Sequence, residues 1–176
     1  LFFISNYDHD KKISLPQAFL LTALSWLSIA IFGSLPLIFS STDLSFTDAF
    51  FESMSGITTT GSTIITNLNE TSKAILLWRG MLQWFGGIGI IVMAITLMPL
   101  MNIGGMQLFN ISSNDTSEKI FPKTKEVSLR LLSIYSLLTL TCAFFYFIFG
   151  MSFFDSIVHA MTTIATGGFA NYNESI

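Results

Sequence analysis

The chain has 176 residues, 51% of them hydrophobic and 11% charged, with a mean hydropathy of +0.64 and a net charge of −3. A soluble domain carries about a quarter charged residues, so this composition belongs in a bilayer rather than in water. A lone cysteine, Cys142, excludes a disulfide scaffold, and no basic cluster beyond Lys11-Lys12 offers a surface to nucleic acid.

Residues 1–12 form a polar flank containing Asp8, His9, Asp10, Lys11 and Lys12. The chain opens on Leu1 with no basic segment and cleavage site of a signal peptide, so it is expected to be an excerpt of a longer membrane protein. Ile13–Thr42 lacks Asp, Glu, Lys and Arg, and Gln17–Phe39 reads as the first membrane helix, with Pro16 in its opening turn. Ser45–Ser55 is too short to span: eleven residues of helix reach about 16 Å, against a hydrocarbon core of about 30 Å. The run Ile57-Thr58-Thr59-Thr60-Gly61-Ser62 that follows has no helical logic. After a polar turn at 67–72, Ala74–Met101 reads as a second long helix, Asn102–Lys125 as a polar linker, and Val127–Phe149 as a third. Ser152–Thr162 is again short, and it leads into Ile164-Ala165-Thr166-Gly167-Gly168-Phe169.

A shift of 107 residues superimposes the two short segments. Ser45 falls on Ser152, Phe46 on Phe153, Asp48 on Asp155, Met54 on Met161, Ile57 on Ile164, Thr59 on Thr166 and Gly61 on Gly168, seven identities in eighteen positions. The same shift lays the first long helix over the third, so the unit is long helix, short helix, irregular loop, long helix. The domain reading is a flank at 1–12, a first repeat at 13–101, a linker at 102–125, and a second repeat at 126–176 lacking its last helix.

Ser45-x-x-Asp48 and Ser152-x-x-Asp155 are helix-start signals: the hydroxyl satisfies an orphan N–H, and the acid suits the positive end of the dipole. The far end of each short helix runs into the Thr/Gly loop. Irregular backbone at membrane depth survives only where protein buries it or where it lines a watery path. Thr58–Gly61 and Ala165–Gly168 are therefore candidate pore-lining segments whose backbone carbonyls replace the hydration shell of a cation. Glycine suits such a run, because carbonyls pointing one way require backbone angles that a Cβ disfavours.

These residues resemble the Trk/Ktr/HKT superfamily of potassium transporters, closest to its bacterial Trk-type ion-translocating subunits. Ser55-Gly56-Ile57-Thr58-Thr59-Thr60-Gly61 is similar to the first pore loop of that family, and His159–Phe169 to the second. Leu77-Trp78-Arg79 through Gln83-Trp84-Phe85-Gly86-Gly87-Ile88-Gly89-Ile90 resembles the start of the helix after the first loop, and Gly104–Phe109 the segment after that helix. The resemblance implies an all-α membrane protein of four helix–pore-loop–helix units around one pseudo-fourfold pore, of which this chain holds the first and most of the second. It implies potassium uptake, coupled to a second ion or passive, with potassium as substrate, no covalently bound cofactor and no enzymatic chemistry. It also implies a homodimer of the full-length protein, and a cytoplasmic nucleotide-binding regulatory subunit facing the linker. Thr58-Thr59-Thr60-Gly61-Ser62 keeps one glycine of the Thr-Val-Gly-Tyr-Gly channel signature, so a sodium-permeable or sodium-coupled member is the alternative within transport. A scaffold or membrane enzyme with re-entrant loops is the alternative outside it.

Lys11, Lys12, Lys119, Lys123, Lys125 and Arg130 lie on the linker side of the helices, and Lys73 and Arg79 on the loop side. The positive-inside rule therefore turns the pore loops outward in the cell membrane, among Asp43, Asp48, Glu52, Glu70, Asp155 and Glu174. Arg79 is expected to snorkel to the outer interface; otherwise it pairs with Glu52 and braces the filter. Asp48 and Asp155 are expected to act on an ion only indirectly. Gly86-Gly87-Ile88-Gly89 reads as close helix packing, since no strand precedes it as a nucleotide loop requires. His9 and His159 lack the spacing of a metal site, and His159 is expected to pack the short helix.

Overall fold

The computed structural model describes residues 15–40, 42–101 and 120–174, with the backbone alone for residues 15, 95–101 and 120–125. The Gly104–Phe109 motif and the basic flank at Lys11 and Lys12 lie outside the described residues. Among the described residues five α-helices follow one another: α1 (Leu15–Ile38), α2 (Phe46–Ile57), α3 (Lys73–Met101), α4 (Ile120–Ile148) and α5 (Phe153–Ile164), with a 3₁₀ turn at Leu68–Glu70 before α3. Among the described residues there is no strand.

Among the described residues three segments are long and apolar enough to cross a membrane, Pro16–Ile38, Lys73–Ala94 and Glu126–Ile148. Leu20, Phe32, Leu137 and Leu140 stand more than half exposed along α1 and α4, faces suited to hydrocarbon and not to water. The described part of α4 reaches back to Ile120, seven residues before the expected Val127, so the expected linker is helical in its last part.

The short helices begin as their sequence dictates. Ser45 Oγ accepts the Asp48 N–H at 3.2 Å and donates to Asp48 Oδ2 at 2.7 Å; Ser152 Oγ does the same with Asp155, at 3.2 and 2.6 Å. Both cap residues are extended, with φ/ψ of −63°/162° and −61°/154°.

The helix α3 packs against all four others. Toward α1, Trp78 Nε1 donates to the Gly33 carbonyl at 2.9 Å. Toward α4, Trp84 Nε1 donates to Thr139 Oγ1 at 3.0 Å, and Tyr135 Oη donates to the Trp84 carbonyl at 3.2 Å. Toward α5, Gly80 lies against Val158 and Thr162, and Gly87 against Ala165. Gly86 meets the end of α2 so closely that a Cβ would collide with the Ile57 carbonyl. The Gly86–Gly89 run is thus a packing surface for helices, as its sequence reading has it.

Two apolar clusters set the loop ends. Leu37, Ala49 and Ile75 tie α1, α2 and α3 together, and Ile65, Leu68 and Leu76 pack the chain that leads from the first loop into α3. Replacing Gly86 with Val is expected to force α3 off the Ile57 carbonyl and lower stability by about 1–3 kcal/mol, as overpacking does. Gly89→Ala, whose Cβ would meet Trp26 at an ordinary 3.6 Å, is expected to be tolerated; thermal unfolding of the two purified variants checks the contrast.

Candidate functional site

The loops after α2 and α5 have the same backbone. Thr58 closes α2 at φ −82°, ψ 0°, followed by left-handed Thr59 (φ 57°) and Gly61 (φ 81°). Ala165 closes α5 at φ −71°, ψ −9°, followed by left-handed Thr166 (φ 58°) and Gly168 (φ 76°). Thr60 and Gly167 lie between and are not left-handed. A β-branched residue in the left-handed region is strained by about 1–3 kcal/mol, and here it occurs twice at equivalent places.

The hydrogen bonds repeat as well. Thr60 and Gly61 N–H donate to the Ser55 carbonyl at 3.0 and 3.5 Å; Gly167 and Gly168 N–H donate to the Thr162 carbonyl at 2.9 and 3.4 Å. Thr59 N–H reaches Gly56 and Thr166 N–H reaches Thr163, both at 2.9 Å. The orphan carbonyls at each helix end therefore gather the loop's N–H groups, as alternating right- and left-handed backbone allows. In a trans peptide the carbonyl of one residue lies opposite the N–H of the next, so those of Thr58, Thr59 and Thr60 and of Ala165, Thr166 and Gly167 turn away from the helix ends that gather the N–H groups. Among the described residues no hydrogen bond ends on them. The Thr58 hydroxyl is committed to the Met54 carbonyl at 2.8 Å, and the Thr58 and Thr60 hydroxyls pair at 2.8 Å.

A buried acid holds the chain leaving each loop. Glu52, fully buried on α2, accepts the Thr63 hydroxyl at 2.9 Å through Oε1 and the Ile64 N–H at 2.9 Å through Oε2. Asp155 accepts Asn171 Nδ2 at 2.7 Å and the Tyr172 hydroxyl at 2.9 Å. Asp48, equivalent to Asp155, is only half-buried and keeps Ser45 as its side-chain partner. Asp155 lies outside the three spanning segments. Burial pushes its carboxyl up, but bonds from Ser152, Asn171 and Tyr172, with His159 nearby, more than offset this and hold it below the usual carboxylate range.

Arg79 does not snorkel. It is 1% exposed, because its partners lie inside the protein. Nε donates to Glu52 Oε1 at 2.7 Å, Nη2 to Thr63 Oγ1 at 3.0 Å and Nη1 to the Ala170 carbonyl at 3.1 Å, while the guanidinium lies 4.1 Å from the Phe169 ring centroid. One side chain thus joins α2, the exit of the first loop and the exit of the second.

Gln83, one turn further along α3, is fully buried, and its Oε1 accepts the Phe169 N–H at 3.1 Å. Its Nε2 is buried with no partner. His159 occupies the place equivalent to Glu52; it is 3% exposed, and its Nε2 also has no partner. Among the described residues no three His, Cys, Asp or Glu side chains could share a metal ion.

Residues 3–176 match the family described as TrkH, cation transport protein. The chain belongs to the TrkH family. It is 52% identical over 159 residues to the Trk system potassium uptake protein TrkI of Halomonas elongata, covering 90% of this chain and 32% of that protein. It is 45% identical over 174 residues to the Trk system potassium uptake protein TrkH of Escherichia coli, covering 97% of this chain and 36% of that one. The crystal structure of the potassium transporter TrkH from Vibrio parahaemolyticus superposes with a TM-score of 0.78 at 41% identity, over 96% of this chain and 33% of that one. The chain therefore spans about a third of the TrkH-family proteins it matches.

Sequence reasoning left out Thr63, Asn171, Tyr172 and, as a site residue, Gln83. A glutamine in an otherwise apolar helix is itself a signal, since a polar group at membrane depth needs a partner; the others lie in loops whose folded positions no local pattern announces. Arg79→Met is expected to destabilise the protein by about 3–5 kcal/mol by leaving Glu52 charged and alone, and adding Glu52→Gln to recover part of that loss. Thermal unfolding of the single and double variants measures the recovery. Asp155 has a depressed folded pKa, so its stabilising effect is complete above the unfolded value and is lost as pH falls through the folded one. Asp155→Asn is expected to flatten that acid limb of a stability–pH curve.

Proposed function

We propose that this chain supplies two quadrants of a potassium-uptake pore. Dehydrated potassium is held by the backbone carbonyls of Thr58, Thr59, Thr60 and Gly61 in one quadrant, and of Ala165, Thr166, Gly167 and Gly168 in the next. The observation that carries the reading is the repeated loop backbone, with left-handed residues at 59, 61, 166 and 168 and N–H groups gathered by the helix ends. Such carbonyls substitute for water around a cation without covalent chemistry or a bound cofactor. The carbonyl poles of both short helices end at the same loops and add a field favourable to cations.

The names of the relatives support potassium as the ion, and the match to a family of longer proteins supports a pore completed by further repeats. The charge distribution supports loops that face outward in the plasma membrane. Permeation that is passive or coupled to a second ion, a dimer of the full-length protein and a nucleotide-binding regulatory subunit at the cytoplasmic side complete the proposal.

The test is potassium uptake by a deficient strain carrying the full-length protein. Gly61→Val and Gly168→Val each place a side chain on a left-handed residue of a loop, and each is expected to abolish growth on limiting potassium. Growth at the unsubstituted rate with both changes present would overturn the carbonyl filter.

A further inference from the structure

We propose that Gln83 is a selectivity-setting residue: its carboxamide wedges between the two loops and holds the second one at the width that favours potassium. The proposal rests on the carbonyl-filter reading and adds a side chain to it.

The first loop carries its own tie, because the Thr58 and Thr60 hydroxyls bond each other at 2.8 Å. The second loop has Ala165 and Gly167 at the equivalent positions and can form no such bond. Gly167 and Gly168 in succession leave its backbone with more freedom than any other pair of residues would. The Thr162 carbonyl anchors the N–H groups of both glycines, and a side-chain tie to match that of the first loop must come from outside the loop.

Gln83 is placed to do so. Its Oε1 holds the N–H of Phe169, the residue directly after Gly168. Gly167 lies flat against the same carboxamide, and a Cβ there would run into Cδ, Nε2 and Oε1. The Nε2 group faces the seam between the loops: it lies 3.7 Å from where a Cβ on Gly61 would sit, a position that also collides with the Gly167 carbonyl. A buried donor without an acceptor is destabilising, so Nε2 contributes nothing to packing that an apolar side chain of equal length would not supply better. The use of the side chain lies in its oxygen: the bond from the Phe169 N–H to Oε1 keeps the loop from closing further onto a smaller ion. Where selectivity is set by the size of the carbonyl cage, preference for the larger ion depends on that resistance.

The experiment is parallel uptake of rubidium, as a potassium tracer, and sodium by the full-length protein in liposomes. Gln83→Met fills the same space without an acceptor, and Gln83→Glu retains an oxygen for the Phe169 N–H in either protonation state. Loss of one buried hydrogen bond predicts that Gln83→Met raises the sodium-to-rubidium flux ratio about fivefold, with Gln83→Glu staying within about twofold of the unsubstituted protein. An unchanged ratio in Gln83→Met, a change in both fluxes by the same factor, or a Gln83→Glu ratio matching that of Gln83→Met would overturn the proposal. If Gln83→Met is not recovered as a monodisperse protein, Gln83→Asn takes its place; it is one methylene too short to reach Phe169, and the same rise is expected and the same null result decisive. Failure of the carbonyl filter itself registers separately, as growth of the Gly61 and Gly168 variants.

Discussion

A charged side chain in a membrane helix is tolerated only when something inside the protein receives it, and Arg79 meets that condition with every group it has. Glu52 takes its charge, Thr63 and the Ala170 carbonyl take two further N–H groups, and Phe169 covers the guanidinium face. None of these partners can move without exposing an ion to a medium that does not solvate it. The net contribution of such a pair to stability is small or even negative compared with apolar packing, but its geometric demand is strict. Two loop exits that are 107 residues apart in register are thereby held to one point on α3.

The loops share their backbone and differ in their supports. The common part is made by the helix ends, where the Ser55 and Thr162 carbonyls each gather two N–H groups. That mechanism needs no particular side chain, so it repeats where the sequence does not: Thr60 corresponds to Gly167, and Thr58 to Ala165. The supports are side-chain work and are individual. Glu52 holds the first exit from the middle of α2, whereas Asp155 holds the second from the first turn of α5. An irregular backbone is defined by its hydrogen bonds, and unlike residues can supply them.

Features with local causes were readable in the chain itself. Length and hydropathy locate the spans, a hydroxyl three residues before an acid marks each short helix, and the glycines at 61 and 168 mark left-handed backbone. The left-handed Thr59 and Thr166 were not readable, because their conformation is imposed by the helix end and opposes their own preference. Arg79 reads as an interfacial residue when only its own helix is considered, and its partner Ala170 lies 91 residues away. The helical turns of α4 before Val127 were hidden by polar residues that a hydropathy reading assigns to a loop. Local chemistry is legible; agreement between distant segments is not.

The position of α3 bears on the order in which the molecule is made. Its glycine face receives α5, and its Arg79 and Gln83 receive the exit of the second loop. Being earlier in the chain, α3 is synthesised before the segment that leans on it. The second loop therefore emerges next to a template already in place, and its two glycines need no conformational preference of their own. The first loop stiffens itself with a pair of threonine hydroxyls, an arrangement suited to a segment that precedes its brace.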